Sequence, residues 1–449
     1  MKQISWWKMG KTFKQTMREY NWEKNFLVRR WKLRMRFALM GMIKCVLWPR
    51  RKKYDLSSVK KILIVRNDRI GDMIATTALI RNLSRCGYAV YVSSRKSSLD
   101  IIQYNPHVSG TFVYDDSSLG AWLNTIRAVR KDKFDLAVDV RCNRYVDIRN
   151  IVFCSYIKTP ILAGFNKSNL ATFNFPIPYY SPESHVTVQL RTLLDQLHVT
   201  ADDLHYELFV SDDIRQKALS FLQSLDDAGG KKIAVFNPFG SVAARFLSDE
   251  QIGIVCQLLS TEYHIVLIGE KDSIQHLEAL DHVFLFDSQS VLDVIPLIEL
   301  SDIVVTVDTA IVHMATCHQK NTIAFYIDTV PVAPVSTDIK VVRSHEMFLL
   351  NSKLEDYFQD KKYITKAAPD RTIPVNHHVW APNNRHAQQI LFDSEPIRDV
   401  DSALFQTEVA KSLKAIHEGE EKYCLQSEKN NDQDTYVSAW QRSPRYKNA

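Results

Sequence analysis

The sequence predicts an α/β protein with two similar domains, each built on a parallel β-sheet. Short continuous apolar runs alternate with longer segments of helical periodicity, which is typical of buried parallel strands covered by helices. The alternation occurs twice, once on each side of a segment that contains three prolines. The chain has 449 residues, which is too many for one ordinary hydrophobic core.

The first domain is predicted to begin with the apolar run 60–66, a buried strand. Asn67 or Asp68 is expected to cap the next helix, which should end near Leu83. The following elements are predicted at 88–93 (strand), 111–114 (strand), 119–130 (helix) and 136–140 (strand). The prolines between residues 175 and 183 interrupt this pattern and mark the predicted end of the domain.

A helix at about 185–197 is expected to lead into the second domain. Strands are predicted at 232–238, 264–268, 302–307 and 322–327, and helices at 248–259, 290–300 and 310–318. The pattern fades after residue 328 and the last 30 residues are polar. The predicted units are a basic arm (1–55), a first α/β domain (56–183), a second with its linking helix (184–350), and a partly disordered extension (351–449).

The N-terminal arm is strongly basic, whereas the rest of the chain is mildly acidic. Residues 1–55 carry 16 lysines and arginines and three acidic residues. The rest of the chain carries 41 lysines and arginines and 48 acidic residues. Five of the eight tryptophans also lie in this arm, and Leu27, Trp31, Met35 and Ala38 would share one helical face. Such a segment favours an anionic membrane surface. Packing on the body of the protein and nucleic-acid binding remain alternatives.

The chain is expected to be cytoplasmic and peripheral to the membrane. Its longest apolar stretch, residues 37–48, contains Lys44 and is shorter than the roughly 20 residues of a membrane-spanning helix. The seven cysteines show no paired spacing, which is typical of reduced thiols. The first apolar stretch lacks the small-residue cleavage site of a signal peptide.

Ligands of open parallel sheets bind beyond the carboxyl ends of the strands, so the loops there carry the candidate site. The loop after the first strand ends in Gly71-Asp72. A carboxylate in this position can accept a proton from a substrate hydroxyl, although it can equally complement the start of the helix. The loop has one glycine and not the three of a dinucleotide-binding fingerprint. It also lacks the Gly-Lys-Ser/Thr sequence of a phosphate-binding loop.

In the second half, the loop after strand 232–238 contains Gly240, Ser241 and Arg245. Gly240 lets the backbone approach a ligand, and the serine and arginine are natural phosphate ligands. A tight turn with a surface arginine would look the same.

Two further loops complete the predicted donor side. Gly269 and Glu270 follow the next strand, and Glu270 could bind ribose hydroxyls or cap a helix. Asp308 and Thr309 precede the helix predicted at 310–318. Backbone N–H groups at its start can hold a diphosphate, or the two side chains can act only as caps.

Together these segments resemble the glycosyltransferase family that includes the bacterial lipopolysaccharide heptosyltransferases. The match rests on VRNDRIGDMIATTALIRNL (65–83), NPFGSVAARFLSDEQ (237–251) and VVTVDTAIVHMA (304–315). The segment 185–197 is similar to the family's interdomain helix. The resemblance implies a GT-B fold, in which two Rossmann-like domains face a cleft. It also implies an inverting, metal-independent transfer, usually from ADP-heptose, with no cofactor beyond the nucleotide sugar.

The resemblance assigns roles to individual residues. The family's catalytic aspartate corresponds to Asp72, and its donor-binding Asp-Thr-Gly to Asp308-Thr309-Ala310, with alanine in place of glycine. Its phosphate-binding cation corresponds to Arg245, if Ser248 is aligned with the family's usual proline. The family's Lys-x-Trp-Pro reads Arg-Phe-Leu-Ser here, which keeps the charge and changes the aromatic position.

The remaining expectations concern the acceptor and the alternatives. His313 is expected to orient Asp308, to contact phosphate, or to be structural. The acceptor would be a lipopolysaccharide core or related glycolipid, whose acidic groups could meet Arg69, Arg141 and Arg144 at the rim of the first domain. A transferase for another nucleotide sugar and a non-catalytic membrane-tethered protein are the alternatives.

Overall fold

The computed structural model describes residues 49–50, 53–141, 147–327 and 376–427, with gaps at 169, 180–183, 202, 226–229, 281, 393 and 395. It also describes single positions between residues 31 and 47, and only the backbone of 420–427. No helix in these ranges is long and apolar enough to cross a bilayer.

The first half of the chain folds around a six-stranded sheet in which all strands are parallel. Its strands are β1 (Lys61–Val65), β2 (Ala89–Ser94), β3 (Gly110–Val113), β4 (Leu136–Asp139), β5 (Ile161–Phe165) and β6 (Phe175–Ile177). Its helices are α1 (Ile70–Arg85), α2 (Lys96–Asp100), α3 (Leu119–Lys131) and α4 (Ile148–Tyr156). The spatial order is β3-β2-β1-β4-β5-β6.

The second half repeats this arrangement, with the order β12-β11-β10-β7-β8-β9. The strands are β7 (Lys232–Asn237), β8 (Tyr263–Leu267), β9 (Val283–Leu285), β10 (Ile303–Val307), β11 (Asn321–Ile327) and β12 (Ala387–Phe392). The helices are α5 (Val186–Gln196), α6 (Asp212–Ser224), α7 (Asp249–Leu259), α8 (Lys271–Ile274), α9 (Val294–Leu300), α10 (Ala310–Cys317), α11 (Asn376–Val379) and α12 (Ser402–Ser427). The prediction of two parallel-sheet units is confirmed.

The start of α1 differs from the prediction. Arg69 occupies the N-cap position, and the Asp72 carboxylate accepts a hydrogen bond from the Arg69 backbone N–H at 3.2 Å. Asn67 and Asp68 therefore do not cap this helix. By contrast, Ser248 does cap α7, because its hydroxyl accepts a hydrogen bond from the Gln251 N–H.

The proline-rich segment also differs from the prediction, which had it interrupt the pattern of strands and helices. Residues 175–177, including Pro176, form β6 at the edge of the first sheet. Proline is tolerated there because an edge strand has one unpaired side that needs no donor. The short elements α4 and β5 were not predicted either, because neither is long enough to show a clear period.

The second sheet extends beyond the predicted boundary at residue 350. Strand β12 pairs in parallel with β11, from Thr322 opposite Ala387 to Ile327 opposite Phe392. Helix α12 then packs on α7 and β12, and buries Phe405 and Val409 in the core of this sheet. The segment 376–427 is thus part of the second unit, although its sequence pattern is weak.

Arg50 was predicted to belong to the membrane-facing arm, but its half-buried side chain is bound to the first unit. Its guanidinium donates to the carbonyls of Thr159 and Thr172 at 2.8 and 2.9 Å. It also donates to the carbonyls of Cys154 and Ser155, both at 3.3 Å, near the end of α4. Burial lowers its pKa to about 10. Arg50 therefore fastens the end of the arm to the first sheet.

Candidate active site

The strand orders locate the candidate site. In each sheet the chain reverses its direction of travel at one pair of neighbouring strands, β1 and β4 in the first and β7 and β10 in the second. In doubly wound sheets, ligands bind in the crevice outside the carboxyl ends of such a pair. The loops after these four strands carry Asp72, Arg141, Arg245 and Asp308.

The two crevices lie opposite each other. Arg69, from the loop after β1, donates from Nη1 to the Ser241 hydroxyl at 3.1 Å, in the loop after β7. Helices α1 and α10 pack together. A Cβ atom at Gly71 would lie 3.0 Å from His313 Cδ2 and 3.7 Å from Ala310 Cα. The glycine before Asp72 is therefore needed for the close approach of the two helix starts.

Asp72 is held by two donors at the start of α1. Its Oδ1 accepts a hydrogen bond from Arg66 Nη2 at 2.8 Å, and its Oδ2 from the Arg69 N–H at 3.2 Å. Its side chain keeps 21% of its accessible surface. The carboxylate is thus oriented and still reachable, which is what a general base requires.

Arg66 is a residue of the site that the sequence analysis did not single out. It follows β1 directly, is only 3% exposed, and also donates to the Val140 carbonyl at 3.1 Å. Its position directly after the apolar strand β1 is the sequence feature that could have identified Arg66 as a site residue. A buried guanidinium needs a carboxylate partner, and the partner lies in the next loop.

Asp68 lies in the same loop between two arginines, and its side chain is 23% exposed, close to the value for Asp72. Its Oδ2 is 3.6 Å from Arg66 Nε and its Oδ1 is 3.5 Å from Arg141 Nη1. Burial raises the pKa of Asp68 and the Asp72 carboxylate adds to this, whereas the two guanidinium groups oppose it. Asp68 therefore links Arg66 to Arg141, and it differs from Asp72 in its ion-pair partners and not in its exposure.

Arg141 is not at the rim, where the sequence analysis expected it. It is 5% exposed, and its guanidinium lies 2.9 Å from Asp147 Oδ2 and 3.6 Å from Asp139 Oδ1. Burial alone would lower its pKa, but the surrounding carboxylates raise it. These partners hold Arg141 inside the first unit and away from an acceptor. Arg144 lies outside the described residues.

On the opposite side, Arg245 and Asp308 form an ion pair. Arg245 Nη1 is 3.0 Å from Asp308 Oδ2 and donates to the Asp308 carbonyl at 2.8 Å. Burial raises the pKa of Asp308, and the guanidinium groups of Arg245 and Arg69 oppose that shift. The predicted cation and the predicted donor-binding aspartate are therefore in direct contact.

The loops around this pair bring the other predicted donor residues to the same edge. A Cβ atom at Gly240 would lie 3.1 Å from Arg245 Cβ, so the loop after β7 folds tightly onto that arginine. Ser241 is exposed. Gly269 and Glu270 follow the neighbouring strand β8, and the Glu270 side chain is exposed.

Thr309 and Ala310 form the start of α10. Thr309 is the N-cap: its hydroxyl accepts from the Ile311 N–H at 3.3 Å and from Asn237 Nδ2 at 3.1 Å. Ala310 is the first helical residue and faces α1. The positive end of the helix dipole therefore lies beside the ion pair of Arg245 and Asp308, and can bind an anion.

His313 lies away from the donor edge. It is 4% exposed, and its ring makes edge contacts with Tyr206 and Trp380 at centroid distances of 6.0 and 5.7 Å. Burial lowers its pKa to about 3, so the ring is neutral near pH 7. This position gives His313 a packing role between α10 and α1, which was the structural alternative in the sequence analysis.

A metal site was not predicted. Within the described ranges, no group of three or more His, Cys, Asp or Glu side chains is arranged to hold a metal ion. The metal-independent mechanism stays a prediction.

A family model described as glycosyltransferase family 9 (heptosyltransferase) matches residues 122–361, more than half of the chain. This chain belongs to glycosyltransferase family 9. The match begins after Asp72, so the assignment of Asp72 to the site rests on the fold and on the resemblance of residues 65–83.

Relatives of this family 9 glycosyltransferase cover most of its length. It is 21% identical over 80% of its chain, and 88% of the relative's, to an Escherichia coli K12 protein whose proposed identity is lipopolysaccharide heptosyltransferase 4. Its fold is similar to that of a family 9 glycosyltransferase from Veillonella parvula (TM-score 0.57, 15% identity, 82% and 92% of the two chains). It is also similar to E. coli ADP-heptose lipopolysaccharide heptosyltransferase II (TM-score 0.56, 14% identity, 80% and 99%). The predicted GT-B architecture is confirmed.

Proposed function

We propose that this glycosyltransferase moves heptose from ADP-heptose onto a lipopolysaccharide core or a related glycolipid. The observation that carries the proposal is that the neighbours of Asp72 contact the second sheet's loops: Arg69 donates to Ser241, and Gly71 lies against Ala310 at the start of α10. A carboxylate on one side and an anion-binding helix start with an arginine on the other suit a transfer from a nucleotide diphosphate sugar. The family and the names of the relatives support heptose as the sugar.

The mechanism is a single in-line displacement with inversion. The nucleotide diphosphate of the donor lies against the second sheet. Asp72 takes the proton of the acceptor hydroxyl as that oxygen forms a bond to the anomeric carbon. The bond from that carbon to the diphosphate oxygen breaks, and the nucleotide diphosphate leaves with the electron pair. Arg245 and the N–H groups at the start of α10 stabilise the charge that develops on it.

The test is product formation by the purified full-length protein. ADP-heptose would be mixed with a heptose-deficient lipopolysaccharide extract, and the product analysed by mass spectrometry. We expect a mass gain of one heptose. Addition of another sugar from a panel of UDP- and ADP-sugars would replace heptose in the proposal. Failure of every donor to add a sugar or to raise the Tm would favour the non-catalytic alternative, since a ligand that binds the native state stabilises it.

We also propose that the protein works at the cytoplasmic face of the membrane, attached through residues 1–55. The described positions between 31 and 46 are helical and expose large apolar side chains. These are Trp31, Met35, Leu39, Met42 and Val46, with 42% to 66% of their surface exposed. They fall within about 80° of helical arc. Ile43 and Leu47, on the adjacent face, pack on the first sheet.

This stripe and the excess of bases in residues 1–55 suit an anionic bilayer surface. Vesicles of phosphatidylglycerol and phosphatidylethanolamine should sediment the wild type. The double variant Met35→Glu, Met42→Glu should lose most of that binding, because two charges would enter the apolar interface. Leu119→Glu is the matched control, since Leu119 is 70% exposed on α3. Equal sedimentation of the double variant and the wild type would contradict the attachment.

A further inference from the structure

Arg69 was expected to bind the acceptor, because it lies in the first unit. The structure directs its side chain elsewhere. Although Arg69 belongs to the loop after β1, its guanidinium donates to Ser241 at 3.1 Å, in the loop after β7. It also interacts electrostatically with Asp308, which is the partner of Arg245. The side chain thus crosses from the first sheet to the donor side.

The chemistry of this location indicates an anion as the ligand. Arg245 lies 3.0 Å from Asp308, the guanidinium of Arg69 acts to lower the pKa of the same carboxyl, and the N-terminus of α10 follows Asp308 directly. The Ser241 contact uses one of the five N–H donors of the Arg69 guanidinium, whose geometry suits phosphate oxygens. A second guanidinium beside Arg245 suits a diphosphate, since charge-assisted hydrogen bonds to phosphate are among the strong ones.

The backbone of the same residue touches the proposed base. The Arg69 N–H donates to Asp72 Oδ2, and Arg69 is the N-cap of α1. A ligand that binds the Arg69 guanidinium can therefore shift the turn whose backbone N–H orients Asp72.

We propose that Arg69 is a ligand of the donor's diphosphate, supplied by the first sheet to a site otherwise built on the second. Donor binding then draws the two sheets together at the point where Asp72 must meet the acceptor hydroxyl. Arg69 is a donor-binding and positioning residue in this account, and the assignment rests on the proposed function.

Binding of ADP to the full-length protein, measured by calorimetry, tests this without turnover. Loss of one charge-assisted contact should weaken ADP binding by the Arg69→Gln variant about 10- to 100-fold. Binding of adenosine should stay unchanged. Arg69→Lys should recover part of the affinity, because it keeps the charge and loses the planar fork. Arg95→Gln is the matched control, since Arg95 is also an N-cap after a strand of the first sheet and its side chain is 52% exposed.

Steady-state kinetics separate the donor role from the original expectation. In Arg69→Gln, the KM for the donor should rise and kcat should fall, while the KM for the acceptor stays near the wild-type value. Wild-type affinity for ADP in this variant, or a rise in the acceptor KM alone, would overturn the assignment and leave the proposed function intact. A wild type that binds neither ADP nor UDP would overturn both.

Discussion

Replacing Asp72 with asparagine should lower kcat by about 10²- to 10⁴-fold, the usual contribution of a positioned general base. The amide has nearly the same shape, but its single oxygen can accept a hydrogen bond from only one of the two donors, Arg66 and the Arg69 N–H. It has no lone pair basic enough to accept the acceptor's proton. Affinity for ADP should stay close to the wild-type value, because the proposed mechanism has Asp72 contact the acceptor hydroxyl and not the nucleotide diphosphate. Heptose transfer and ADP binding, measured on the same preparation, test both statements.

The matched control is Asp68→Asn, in the same loop. Asp68 lies between Arg66 and Arg141, and burial raises its pKa. Its loss should lower thermal stability and reduce kcat much less than the loss of Asp72. If Asp68→Asn removes transfer and Asp72→Asn does not, the base is Asp68 and the mechanism above is wrong.

Replacing Arg245 with methionine should lower kcat/KM by about 10²- to 10³-fold, a typical cost of losing one donor to a developing anion. Methionine keeps much of the length and removes the charge that would meet the leaving diphosphate. The change also removes the partner 3.0 Å from Asp308. A partly buried carboxylate would then lack its counter-ion, so some loss of Tm is expected as well.

Two further variants separate these effects. Arg245→Lys keeps the charge and should retain more activity than Arg245→Met. Arg215→Met removes an arginine of α6 that lies 2.8 Å from Glu299, and it should leave kcat/KM unchanged. A fall in kcat/KM that simply follows the fall in Tm across all three variants would argue against a role for Arg245 at the diphosphate.

Much of the fold could be predicted because its signals are local. The run 62–65 is apolar because β1 is covered on both faces, and Ser248 precedes α7 because its hydroxyl caps that helix. Strand β12 could not be predicted in the same way. Its pairing with β11 joins segments about 65 residues apart, and its pattern of partial burial gives no clean period.

By itself, the sequence determined the two parallel sheets and the loops that carry the site, because strand periodicity, helix starts and polar residues at strand ends depend on near neighbours in the chain. Within those loops, the resemblance to the heptosyltransferase family selected Asp72, Arg245 and Asp308, since each of these residues could otherwise have been a helix cap or part of a turn. Only the tertiary structure decided which of these groups meet. Arg66 holds Asp72, Arg141 and His313 are buried, and Arg69 reaches Ser241, a residue 172 positions away. Those contacts depend on how two sheets pack face to face, and no local pattern encodes that packing.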